Sequence, residues 1–237
     1  MKTIGLLGGM SWESTLDYYR QINEGVKKRL GGLHSARLVL YSVDFAPIED
    51  LMRRGDWDGA GAHLAAAARG VEAGGADFLL ICTNTLHRVA EAVTAAVSIP
   101  LLHIADATAD ALVADGRKKV GLLGTAFTME QDFYKGRLAE RYDLEVITPE
   151  AVDRPRIHEI IFQELCLGQV RPASKAMFLR IVDGLAAKGA EAVILGCTEI
   201  GMLIGPADTP VALYDTTRLH AAKAVAWATD GSEAAYA

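Results

Sequence analysis

Apolar residues along the chain follow two alternating patterns. Short unbroken runs of Ile, Val and Leu occur in "TIGLLG" (3–8), "ARLVLYSVD" (36–44), "ADFLLI" (76–81) and "PLLHI" (100–104), and later in "KKVGLLGT", "DLEVIT", "AEAVILG" and "PVALY". Runs of this kind, bounded by Gly and polar residues, predict strands buried on both faces. Between them, apolar residues recur at helical spacing. Leu16, Tyr19, Ile22, Val26 and Leu30 mark a first helix that stops at Gly31 and Gly32. "DWDGAGAHLAAAARGVEAGG" (56–75) predicts an Ala-rich helix ended by Gly74 and Gly75, "HRVAEAVTAAV" (87–97) and "DATADALVADG" predict two more, and Ile157, Ile160, Ile161 and Leu165 mark the core face of a later one. A βαβα rhythm with non-alternating strands predicts an α/β fold of parallel sheets covered by helices on both faces.

The rhythm repeats. "KTIGLLGGM" resembles "KKVGLLGTA", "GGADFLLICTNT" resembles "KGAEAVILGCTE", and "IPLLHIAD" weakly resembles "TPVALYD". Parallel strands share a common vocabulary, but three matches in one order predict two related halves. Superposing Ala76 on Ala190 sets an offset of 190 − 76 = 114, which places Cys197 on Thr83 and Gly196 on Cys82. Successive strand side chains point to opposite faces, so Thr83, and not Cys82, is the counterpart of Cys197.

Composition narrows the function. The 237 residues are 51% hydrophobic, enough for one large α/β domain or two small ones, and the net charge of −6 is spread without a basic patch. A nucleic-acid or membrane partner is therefore not expected. Three cysteines make no disulfide framework, and the opening "MKTIGLLGGM" reads as a first strand and not as a secretory leader, so a cytoplasmic protein is expected.

Candidate chemistry lies at strand ends. "GLLGGMSWEST" is a strand, a Gly turn and a helix start capped by Ser11 or Ser14. It is either an ordinary βα turn or an anion-binding one. It has neither GxGxxG spacing nor a Walker lysine, which argues against a nucleotide. Cys197, Thr198 and Glu199 stand at the carboxyl end of a predicted strand, where open α/β sheets place ligands. Helix amides there are expected to lower the thiol pKa. Cys166, on a predicted amphipathic helix, reads as packing; Trp12, Trp57 and Trp227 read as core or rim aromatics. His87 and His103 each flank a strand end, where a structural role and a substrate-orienting one are both open. The cysteine and histidine spacings match no zinc pattern, so no metal is expected.

"IGLLGGM", the "NT" at 84–85 with His87, "IADAT", "LLGT" and "GCTEI" together resemble the PLP-independent aspartate/glutamate racemase family almost end to end. Glu199 is similar to the aspartate-racemase branch. The resemblance implies two pseudo-symmetric, doubly wound lobes, each with a mainly parallel four-stranded sheet. They would comprise residues 1–98 with 211–237, and residues 99–210, with the active site in the cleft between them. It further implies a homodimer, a small amino-acid substrate and no cofactor. Racemisation at Cα needs one acid/base group on each face. Cys197 matches one family cysteine; Thr83 stands where the other is usual. Asn84, Thr85, Thr125 and Thr198, with the amides near Met10, would hold the α-carboxylate.

Two departures shape the expected activity. A threonine hydroxyl is a far weaker acid than a thiol. Cys197 is therefore expected to start the reaction from one enantiomer better than Thr83 starts it from the other, within the thermodynamic ratio. In "APIEDLMRRGDW", Met52 stands near the family's side-chain-binding arginine with Arg53 and Arg54 adjacent, and the family's lysine position falls near Cys166. Without those cations a broad amino-acid racemase is as well supported as an aspartate or glutamate one. A single-cysteine isomerase or decarboxylase of small diacids, or a weakly catalytic amino-acid-binding protein, are the alternatives.

Overall fold

A computed structural model describes residues 1–230; residues 231–237 of the expected first lobe lie outside the described residues. The described chain divides into two compact units, residues 1–104 with 220–230, and residues 105–219.

In the first unit β1 (Ile4–Gly8) is the centre of a parallel sheet, flanked by β2 (Leu38–Ser42) and β3 (Phe78–Ile81). The expected fourth strand, "PLLHI", shrinks to a single parallel bridge between Leu79 and Leu101. Pro100 has no N–H to offer a ladder, and the helix α5 (Ile104–Ala114) begins three residues after Leu101, so the sheet has three strands. Helices α1 (Trp12–Leu30), α2 (Phe45–Arg53), α3 (Trp57–Ala73) and α4 (Ala90–Ala95) complete the unit with the end of α11 (Thr216–Thr229). Its core gathers Ile4, Leu6, Tyr18, Ile22, Val26, Phe78, Leu80 and Cys82 with Ala221, Ala224 and Val225 of α11.

The buried row of α1 differs from the expected one. Thr15, Tyr18, Ile22 and Val26 face inward, while Leu16 and Tyr19 are 58% and 51% exposed. Ile22 and Val26 belong to both possible stripes. Thr15 decides between them, because its hydroxyl accepts the Gly9 N–H (2.8 Å) and donates to the Ser11 carbonyl (2.8 Å). Trp12 shares the outward face at 64% exposure, so it is neither core nor rim.

The second unit is built around β4 (Lys119–Gly124), with strand order β5 (Glu145–Ile147), β4, β6 (Ala192–Gly196), β7 (Ala212–Asp215), all parallel. Helices α6 (Ala126–Glu130), α7 (Asp132–Tyr142), α8 (Arg154–Gln163), α9 (Pro172–Ala187) and α10 (Ile200–Leu203) surround it. Ile157, Ile160, Ile161 and Leu165 are buried in its core as expected, with Phe178, Val182 and Val193.

The order β2-β1-β3 of the first sheet recurs as β5-β4-β6 in the second. Ile4 pairs with Phe78 and Val120 with Ala192, which are the equivalences of the sequence repeat. The boundaries of the two units follow backbone pairing. Residues 99–104, expected in the second lobe, stay with the first unit because Leu79 N–H donates to Pro100 O and Leu102 N–H to Leu79 O (both 2.9 Å). Residues 211–219, expected in the first lobe, stay with the second because β7 pairs with β6. Among the described residues no helix is long and apolar enough to cross a membrane.

Candidate functional site

In the first unit the strand ends deliver two sets of polar groups. After β1 the chain turns at Gly9, which has a φ of 93° and would bring a Cβ within 2.2 Å of the Val43 carbonyl oxygen. Only glycine fits there. Met10 and Ser11 follow, both buried, and Ser11 caps α1 by accepting the Ser14 N–H (3.4 Å). After β3, neighbouring side chains go different ways. Cys82 is fully buried in the core among Tyr18 and Ile22, while Thr83 is half-buried. Burial raises the Cys82 thiol well above the ordinary thiol range. Asn84 and Thr85 are buried polar residues at the start of a 3-10 turn, Thr85–Val89.

Met52 lies on the buried side of α2, at 3% exposure. Arg53 and Arg54, the candidate cations beside it, are exposed and both pair with Asp50, Arg54 at 2.8 Å. Of the three neighbours, only the thioether side chain points inward.

In the second unit Thr125 follows β4 and caps α6, its hydroxyl accepting the Thr128 N–H at 3.3 Å. Cys197, Thr198 and Glu199 follow β6 and are all buried. The Cys197 thiol donates to Glu199 Oε2 at 3.0 Å, and the Thr198 hydroxyl donates to the same oxygen at 2.6 Å. One carboxylate oxygen therefore gathers both neighbours. Cys166, expected on an amphipathic helix, sits instead in a half-buried 3-10 turn, Leu165–Leu167, packed against the core that holds Cys197.

The expected lowering of the Cys197 thiol is reversed. Burial raises it first, and the negative Glu199 carboxylate and the nearby Cys166 raise it further. The helix beyond, α10, has only four residues. The sequence motif did not reveal that the Glu199 side chain turns back onto the sulfur. A carboxylate two residues after a cysteine at a strand end was the only available signal.

The histidines are also engaged. His87 Nδ1 is 2.8 Å from the Thr83 carbonyl oxygen, and the Ile104 N–H donates to His87 Nε2 at 3.2 Å. His103 lies against the His87 ring, with centroids 4.4 Å apart. His220, unremarked in the sequence, stands 6.0 Å from His87 and bridges the Tyr18 hydroxyl and the Leu102 carbonyl, each at 2.8 Å.

Comparison with known proteins gives this arrangement a family. Residues 7–224 match the model of the Asp/Glu/hydantoin racemase family. A crystal structure from Yersinia pestis, described as "a putative Asp/Glu Racemase", is 50% identical over 96% of this chain and 99% of its own, with a TM-score of 0.89. An aspartate racemase homologue from Pyrococcus horikoshii OT3 is 35% identical over 97% and 100% of the two chains, with a TM-score of 0.83. The broad specificity amino-acid racemase RacX of Bacillus subtilis is 28% identical over 135 residues, and this match spans 56% of the present chain and 58% of RacX. These relatives are named for amino-acid racemases, which are isomerases. The chain belongs to the Asp/Glu/hydantoin racemase family.

Proposed function

We propose that this protein is a cofactor-independent amino-acid racemase that moves protons at the substrate Cα, with Cys197 as the thiol acid/base on one face and Thr83 on the other. The observation that carries this reading is the Cys197–Glu199 hydrogen bond at the carboxyl end of β6. A buried thiol raised in pKa is a poor base until a neighbour takes its proton, and the Glu199 carboxylate is in place to do so. The thiolate then removes the α-proton, the carbanion forms, and a proton returns from either face. Polar side chains and amides at the strand ends, from Met10, Asn84, Thr85, Thr125 and Thr198, would stabilise the charge on the α-carboxylate.

Met52 supports a substrate with a neutral side chain. A second carboxylate placed against a buried thioether would find no counter-charge, since Arg53 and Arg54 already pair with Asp50. We therefore favour neutral or mixed amino acids over aspartate and glutamate. Incubation with single enantiomers of acidic and neutral amino acids, followed by chiral chromatography, tests the proposal. Absence of the mirror image from every substrate would refute it.

Thr83 favours a second reading, a one-thiol enzyme that protonates a carbanion on a single face after decarboxylating a small diacid. Carbon dioxide release from a substituted malonate added to the panel, without racemisation of any amino acid, would select it. The homodimer expected from the resemblance would have an apolar row to cover, since Trp12, Leu16 and Tyr19 lie exposed on α1. Sedimentation of Leu16→Glu beside the wild type reads this, and identical masses would remove α1 from any interface.

A further inference from the structure

We infer that His87 is a positioning residue for Thr83, holding the strand end that carries this hydroxyl in one orientation while fastening it to the start of α5. The inference rests on the role given to Thr83 above.

Both ring nitrogens are committed, and their roles follow from their partners. The Ile104 N–H can only donate, so Nε2 accepts and carries no proton. The Thr83 carbonyl can only accept, so Nδ1 carries the proton and donates. His87 is thus a neutral Nδ1–H imidazole, buried at 3% exposure.

The grip on Thr83 has a geometric consequence. The Thr83 carbonyl and the Asn84 N–H belong to one planar peptide and point in opposite directions. Holding the oxygen against the imidazole fixes that plane and aims the Asn84 N–H away from the ring. It also fixes the backbone on one side of the Thr83 Cα, which sets where the hydroxyl points. A reacting hydroxyl misplaced by an ångström loses much of its rate.

The second bond reaches the place where the chain leaves the first unit. Ile104 opens α5, and the boundary between the two units falls between Ile104 and Ala105. First-turn amides of a helix have no partner within the helix, and His87 Nε2 supplies one. Two residues earlier the Leu102 carbonyl is held by His220 Nε2–H, while His220 Nδ1 lies 2.8 Å from the Tyr18 hydroxyl. Two imidazoles therefore hold the segment 102–104 by opposite backbone groups, and one of them also holds Thr83.

Two near-isosteric variants separate the two bonds. In His87→Asn the amide nitrogen takes the place of Nδ1 and keeps the donor for Thr83 O, but the acceptor for Ile104 is lost. In His87→Gln the amide oxygen reaches the place of Nε2 and keeps that acceptor, but the donor for Thr83 is lost. In D2O, the enantiomer whose α-proton faces Cys197 reports two rates. Exchange with retention needs Cys197 alone, whereas inversion also needs Thr83.

The expected result for His87→Gln is a fall in the ratio of inversion to retained exchange by about tenfold, the factor that loss of one ordinary hydrogen bond gives. His87→Asn restores that ratio to within about threefold of wild type and instead speeds amide exchange at Ile104. A purely structural role would lower both rates together in both variants and leave the ratio unchanged, which overturns the inference. An activity-free arm uses 15N-labelled imidazole signals of the wild type, which are expected to show the Nδ1–H form of His87 and the Nε2–H form of His220. The opposite tautomer at His87 also overturns it. If no amino acid exchanges its α-proton in the wild type, the racemase reading fails and the catalytic role of His87 fails with it. The imidazole and amide signals would then decide only whether the grip exists.

Discussion

Replacing Glu199 with Gln should change the reactivity of Cys197 in two opposite directions. In the wild type the thiol donates to a charged oxygen at 3.0 Å, and that charge raises its pKa along with burial. Glutamine keeps an oxygen that accepts from the sulfur but removes the charge. A charge-assisted hydrogen bond is worth roughly twice a neutral one, a difference of about 1 kcal/mol in favour of the protonated thiol. Removing it should increase the thiolate fraction at fixed pH about fivefold, by the same principle. Iodoacetamide should therefore label Cys197 faster in Glu199→Gln, with the pH dependence of labelling moved downward.

Catalysis should move the other way, because an amide cannot take the thiol proton in the enzyme–substrate complex. General base assistance contributes about 10²–10⁴ in rate. Because the variant's thiol ionises more easily, we expect the lower part of that range, a loss of about 10²–10³ in α-proton exchange. Peptide mapping by mass spectrometry separates labelling of Cys197 from that of the half-buried Cys166, and α-deuterium incorporation reads the catalysis. Faster labelling with slower exchange is the expected pair. Slower labelling, or exchange within about threefold of wild type against the expected general-base loss, would refute the assignment of Glu199 as the proton acceptor.

Other substitutions test the remaining assignments. Cys82→Ala should keep most activity because its side chain lies in the core and not at the site, at a modest cost in stability, about 1 kcal/mol, read by urea denaturation. Cys197→Ser should lose at least about 10³ in α-proton exchange, since a serine hydroxyl ionises far less readily than a thiol. The reverse ranking would overturn the site. Thr83→Cys should raise inversion of both enantiomers with little change in retained exchange at the Cys197 face, measured by chiral chromatography beside deuterium uptake. Met52→Arg should move the ratio of kcat/KM for acidic over neutral substrates upward by about tenfold or more, as expected for one charge-assisted contact. An unchanged ratio would mean that Met52 does not touch the substrate side chain.

How much of this was legible depends on the kind of signal involved. The strands β1, β3, β4 and β6 were readable because unbroken apolar runs between glycines leave little choice. The equivalence of Thr83 with Cys197 was readable because both halves retain the motif. The α1 face was not, because Ile22 and Val26 fit two stripes and the choice fell to a threonine hydroxyl bonded to Gly9 N–H. "PLLHI" looked like a strand by composition, yet a proline and an early helix leave it one bridge. The Glu199 contact with sulfur and the two bonds of His87 depend on side-chain direction at strand ends, where periodicity says nothing. His220 was invisible in the sequence because its partners Tyr18 and Leu102 lie 202 and 118 residues away.

The pairing of a thiol with a hydroxyl does not make the enzyme one-directional. Enantiomers have equal free energies in water, so kcat/KM for inversion must be the same from either side whatever groups do the work. The asymmetry must therefore appear elsewhere, in how the carbanion is partitioned. Under the proposed mechanism, a reaction that starts at the Cys197 face should see the thiol return its proton faster than Thr83 delivers one from the opposite face. Substrate recovered from D2O should then carry deuterium at Cα well before it inverts. When it starts at the Thr83 face, the slow step comes first and the carbanion is captured almost every time by Cys197, so inversion occurs with little deuterium in the remaining substrate. Exchange that outruns inversion for one enantiomer and lags behind it for the other is the pattern that the proposed pairing of a buried thiol with a half-buried hydroxyl predicts. Two thiols of matched acidity would make the two ratios equal, and on the proposals above Glu199 and His87 would bear on opposite halves of that imbalance.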